Sequence, residues 1–154
     1  MVEDYFKAPV WKIEYGHQQV TCKFKDDDDL QKHLAFWKHV LHLDHWCIEA
    51  GLVENLKNEE TGEERVHGLN YCVPQSCEAS IAINTTDAED SYIKHCEELT
   101  LVHELLHCVI PTYESEEASL EGTAYALGVH QQIDLLAKSF IMARYNVDMD
   151  WFLK

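Results

Sequence analysis

A chain of 154 residues with 46% hydrophobic side chains is long enough to bury one core, so residues 1–154 read as a single domain. A formal charge of −16 argues against nucleic acid as a partner, because phosphate contact needs surface Lys and Arg; it suits solubility and an affinity for basic or neutral peptide segments. No run approaches the roughly 20 apolar residues of a membrane span and the opening MVEDYFKAPVW lacks a signal-peptide pattern, so a cytoplasmic, non-membrane protein with free thiols at its six cysteines is expected.

In chain order, Trp11, Ile13 and Tyr15 alternate, Gly16-His17 turns, and Val20, Cys22 and Phe24 alternate again, which predicts an N-terminal hairpin. Asp26-Asp27-Asp28-Asp29 lacks the alternation of a calcium loop and sits where carboxylates cap a helix. That helix is predicted by the spacing of Leu30, Leu34, Trp37, Val40 and Leu41. His39, His42 and His45 drift around it by about 120° from first to last, which suits a half-buried polar face better than a metal site. His45 to Val53 reads as a strand and Arg65 to Val73 as its partner, with Ser80 to Asn84 as a third short strand. Cys72 and Cys77 have a C-x4-C spacing that can hold a metal, but no second ligand pair stands at a convincing distance, so buried thiols are expected. Nothing repeats and no linker interrupts the chain. The order predicts an α+β fold.

The segment Leu99 to Val109 contains His103-Glu104-Leu105-Leu106-His107. Two imidazoles four residues apart on a helix leave the same face, about 40° apart, and can both reach one Zn²⁺. Glu104 emerges beside them, placed to take a proton from an activated water without being a ligand. This is the HExxH pattern of metal-assisted hydrolysis. A small and apolar stripe at Tyr92, Cys96, Leu99, Leu106 and Ile110 includes the histidines' face. With Asp90 or Ser91 as cap and Pro111 as stop, it predicts a helix of about five turns.

A catalytic zinc needs a third protein ligand and an open position. Glu114 to Gly128 reads as the start of another helix, capped by Ser115, which continues through Leu135, Phe140 and Ile141. Glu117, Glu121, Ala124 and Gly128 share one face, and the small residues there predict close approach to the HExxH helix. Glu121, mid-helix on that face, is the expected third ligand. Glu117 in the first turn is its rival, where carboxylates usually serve the helix dipole. His95, His130, Tyr113 and Tyr125 are candidates to assist a transition state, and the sequence does not rank them.

VHELLHCV followed by EGTAYALG resembles a small gluzincin, the zincin group whose third ligand is a Glu on a following helix. It is similar to short metallopeptidases carried by phages and mobile elements, and more distantly to the ImmA/IrrE proteases. In several gluzincin branches the ligand Glu is followed three residues later by Ala and then by Asp or Asn. Ala124 keeps the first, while Tyr125 stands in the acidic position. The resemblance implies a minimal zincin-like domain and a zinc-dependent metallopeptidase with His103, His107 and Glu121 as metal ligands and Glu104 as general base. It also implies an edge strand, here Ser80 to Asn84, that pairs with an extended peptide or protein substrate. A non-catalytic zinc-binding regulatory or structural module is the alternative.

Overall fold

The computed structural model describes residues 19–59, 62, 66–87, 92–110 and 124–153, and four consecutive aspartates start the first of the described helices. Asp26 is the N-cap of α1 (Asp27–Val40), its carboxylate accepting the Asp29 N–H at 2.9 Å, while Asp29 accepts the Lys25 N–H at 3.0 Å. The reciprocal bonds satisfy donors that a helix start leaves orphaned. Leu30, Leu34 and Trp37 bury the predicted apolar face. Beyond it the chain turns through His42 in the left-handed region (φ 58°), and His39 bonds Asp44 at 2.9 Å. His39 is half-buried and His42 and His45 are exposed, with no shared ligand geometry.

Three strands follow: β1 (Cys47–Val53), β2 (Gly68–Val73) and β3 (Glu78–Asn84). Their order is β1-β3-β2, with β1 parallel and β2 antiparallel to β3. The segment expected to start at Arg65 is a strand only from Gly68, and its partner is β3, not β1. The reason is local. A 3₁₀ turn at Pro74–Ser76 and a left-handed Cys77 fold β2 straight back onto β3. Ala79, Ile81 and Ile83 are buried, which makes β3 the central strand. The expectation that Ser80 to Asn84 forms an edge is therefore overturned, since β3 is paired along both sides and has no backbone donors left for a peptide.

Val20 to Phe24 form no strand, and the rest of the expected hairpin lies outside the described residues. Instead this segment crosses the start of α2 (Glu97–Val109). The Cys22 carbonyl accepts Glu97 N–H at 2.8 Å, and Glu97 accepts Phe24 N–H at 2.7 Å. The helix begins later than expected and spans 13 residues, because Lys94 N–H bonds the Phe152 carbonyl and Ile93 bridges Leu153, holding residues 92–94 extended. Cys96 is the N-cap in place of Asp90 or Ser91, which lie outside the described residues, and Tyr92 stands 90% exposed. The C-terminus is as predicted, with Ile110 extended ahead of Pro111.

α3 (Ala124–Tyr145) packs along α2, which in turn covers β2 and β3; α1 rests on β1 and α2. Ile133, Ala137 and Ile141, spaced by four, form the buried stripe of α3 and share one core with Leu101, Val102, Leu105 and Leu106 of α2. Leu135 stands exposed.

One buried carboxylate ties the helices together. Glu98 Oε1 accepts Trp37 Nε1 at 2.8 Å and Arg144 Nη1 at 2.6 Å, with His33 Nδ1 at 3.2 Å; Oε2 accepts the Tyr145 hydroxyl at 2.5 Å and Thr21 N–H at 3.3 Å.

Candidate metal centre

His103 and His107 leave α2 on the side facing α3, and their Nε2 atoms stand 3.3 Å apart. Two nitrogens bound at about 2.0–2.1 Å to a tetrahedral ion lie roughly 3.3 Å apart, so the pair already has a chelating geometry. A third imidazole joins them from α3: His130 has its ring centroid 5.7 Å from that of His103 and 5.0 Å from that of His107. One nitrogen from each of the three lies within 4.8 Å of the others, and the cluster can hold a metal ion. His103 and His107 are half-buried and His130 is exposed, so the site opens to solvent on one side.

Asp134, one turn after His130, places Oδ1 2.8 Å from His103 Nδ1. A proton on Nδ1 shared with that carboxylate leaves the Nε2 lone pair for an ion. Burial works against charge on His103, but the Asp134 hydrogen bond and the nearby carboxylates outweigh it and raise its pKa; the same bond lowers that of Asp134. Burial, followed by the neighbouring His103 and His130, pushes His107 down to about 3, so it is a neutral imidazole with a lone pair to give at neutral pH.

Glu104 is 6% exposed, and burial raises its carboxyl to about 7, with His103 opposing the shift. It lines a cleft of about 400 Å³ with His107 and the run Gly68 to Cys72. β2 comes unusually close to α2 here. A Cβ on Gly68 would stand 2.7 Å from Thr100 Cγ2 and 2.9 Å from Glu104 Oε1, so the position demands glycine. Asn70 Nδ2 fastens the strand to the helix, donating to the Glu104 carbonyl at 2.6 Å.

The Asn84 N–H to His67 carbonyl bond sets the phase of the β2–β3 ladder. In an antiparallel pair with this register the backbone groups of Leu69 and Tyr71 point at β3, and those of Gly68 and Asn70 point the other way, toward the cleft. Among the described residues β2 has no second partner strand.

Of the sequence-derived residues, His103, Glu104 and His107 come together as expected. Glu121 and Glu117 lie outside the described residues, as does Tyr113. A Cβ on Gly128 would meet nothing within 4 Å, so that glycine is not the close-contact point expected of it. His95 is elsewhere, stacked on His67 at 5.5 Å with its Nε2 3.9 Å from Asp87 Oδ1. His130, considered only as a transition-state aid, stands at ligand distance. The sequence signal that could have drawn attention to His130 is Asp134 one turn later on the same helix, whose carboxylate bonds His103. Cys72 and Cys77 share no metal geometry with other ligands among the described residues. Comparison with protein-family models, with curated proteins and with solved structures finds no match, so the site is read from its own geometry.

Proposed function

We propose that this protein is a zinc-dependent metallopeptidase of minimal zincin-like fold, with the ion held by His103, His107 and His130. The observation that carries the reading is the convergence of three imidazoles, one of which, His107, lines a cleft together with the buried Glu104 carboxylate and the β2 strand, an edge strand among the described residues. Three nitrogen ligands with a solvent-facing fourth position are the donor set of a catalytic rather than a structural zinc. Zinc held by His103, His107 and His130 would supply Lewis acidity for activating water and polarising a carbonyl.

The chain's own groups do the rest. Glu104, buried beside the two α2 imidazoles, accepts a proton from the attacking water and returns it to the leaving amine. Asp134 holds His103 in the tautomer that presents Nε2. The Gly68 and Asn70 backbone groups offer main-chain hydrogen bonds to an extended peptide, so β2 takes the substrate-pairing role first expected of Ser80 to Asn84. Main-chain pairing tolerates many sequences, and the absence of a bulky side chain at Gly68 lets the scissile bond approach Glu104.

Metal analysis and peptide hydrolysis on one preparation test the reading. The expected result is about one zinc per chain and chelator-sensitive cleavage of an unstructured protein. Stoichiometric zinc without hydrolysis of any peptide mixture would instead favour a non-catalytic zinc module. No zinc at all would refute both.

A further inference from the structure

Two thiols meet where the N-terminal segment crosses the foot of α2. Cys96 is the N-cap, and its Sγ accepts Leu99 N–H at 3.4 Å while lying 3.6 Å from the Thr21 carbonyl oxygen. The adjacent bond from Glu97 N–H to the Cys22 carbonyl, 2.8 Å, seats Cys22 on the same turn, so that the chain carrying Cys22 runs directly past the Cys96 thiol. Disulfides need Cα atoms about 4.4–6.8 Å apart, and the backbone bond to Glu97 brings Cys22 beside the residue that follows Cys96.

The two sulfurs are unequal. Cys22 is half-buried and Cys96 buried. Contact with Cys96 pulls the Cys22 thiol down to about 7, against burial and with help from Lys94, whereas the same contact and burial push Cys96 far up. A reachable thiolate backed by a protonated sulfur is the arrangement of an attacking and a resolving cysteine. The pair lies outside the His103, His107 and His130 cluster, and its chemistry requires no metal.

We propose that Cys22 and Cys96 form a reversible modification site for small disulfides of the glutathione class, which closes to an intramolecular disulfide across the start of α2. The Cys22 thiolate attacks one sulfur of oxidised glutathione. A Cys22–glutathione S–S bond forms, the glutathione S–S bond breaks, and the leaving thiolate takes a proton from solvent. Cys96 then releases its proton to solvent and attacks the Cys22 sulfur, expelling the second glutathione as thiolate. The protein dithiol is oxidised by two electrons, and one glutathione disulfide is reduced to two thiols. The product clamps the segment ending at Phe24 onto the helix that carries His103 and His107.

The test uses the full chain, reduced, in a Cys47→Ser background that removes the exposed thiol. After incubation with oxidised glutathione and acid quenching, intact mass and peptide mapping are expected to show a chain lighter by two hydrogens with Cys22 linked to Cys96, reversed by dithiothreitol. Cys96→Ser is expected to stop at a glutathionyl adduct on Cys22, and Cys22→Ser to leave Cys96 reduced. Should Cys96→Ser fail to fold, the map of the parent and the Cys22→Ser control decide. A parent in which Cys22 stays reduced, carries a stable glutathionyl group without closing, or is bypassed by a Cys72–Cys108 link overturns the proposal.

Discussion

Glu98→Gln removes the charge at the point where α1, α2 and α3 are joined. The carboxylate is fully buried and receives the Trp37 indole, the Arg144 guanidinium, the Tyr145 hydroxyl and the Thr21 amide, with His33 beside it. In the amide, one oxygen becomes a donor facing donors. The Tyr145 hydroxyl can rotate to accept, but indole and guanidinium cannot. Arg144, with a side chain only 17% exposed, also loses its counter-charge. Removing one partner of a buried ion pair costs about 3–5 kcal/mol, a large part of the roughly 5–15 kcal/mol that hold a domain together. With a urea m-value near 2 kcal/mol per molar, the unfolding midpoint should fall by about 2 M.

The effect carries a pH signature. Burial alone would raise the Glu98 carboxyl, but the His33, Arg144 and Tyr145 contacts more than reverse this and hold it below the usual carboxylate range. A depressed folded pKa contributes stability that is present above the unfolded value, near 4.5, and lost as pH falls through the folded one. The gap between parent and variant should therefore be widest near pH 7 and shrink in acid. Because Arg144 and Tyr145 belong to the helix that carries His130 and Asp134, zinc affinity should weaken alongside stability. Urea titrations at pH 7 and pH 3.5 on metal-free protein measure both terms. A loss below about 1 kcal/mol at pH 7, or an equal loss at both pH values, would refute the reasoning.

The other predictions concern the metal site. His130→Ala should release stoichiometric zinc as His103→Ala and His107→Ala do; zinc titrations of His130→Ala and Glu121→Gln side by side separate the two third-ligand candidates, and retention by His130→Ala with loss in Glu121→Gln assigns the ligand to Glu121. Asp134→Asn should lower zinc affinity about 10–100-fold with little change in fold, read by competition with a chromogenic chelator. Glu104→Gln should keep metal and structure yet lose hydrolysis by about 10²–10⁴-fold, and undiminished turnover would remove it from the mechanism. Gly68→Ala should destabilise by about 1–3 kcal/mol as β2 is pushed from Thr100 and Glu104, with peptidase activity falling further than stability accounts for.

Much of this protein was legible from local pattern. The first helix, its aspartate cap, the three strand segments and the His103–Glu104–His107 arrangement depend on residues a few positions apart, where helical and strand periodicities act directly. The end of α2 was also legible, because proline constrains the residue before it. The start of α2 was not, since residues 92–94 are held extended by Phe152 and Leu153, far along the chain. Strand order was hidden for the same reason: alternation marks a strand's face but not its neighbours, and burial at Ala79, Ile81 and Ile83 put β3 in the centre and β2 at the edge of the three described strands. Gly68 looked like an ordinary residue until α2 was laid against it. His130 and Asp134 lie on a different helix, α3, and only its packing on α2, through Ile133, Ala137 and Ile141, turns them toward His103. The amino-acid order alone determined which side chains could bind a metal together on one helix; the packing of a second helix, set by long-range burial and by the Glu98 bonds, decided that a third imidazole, His130, stands beside them in a cluster that could hold an ion.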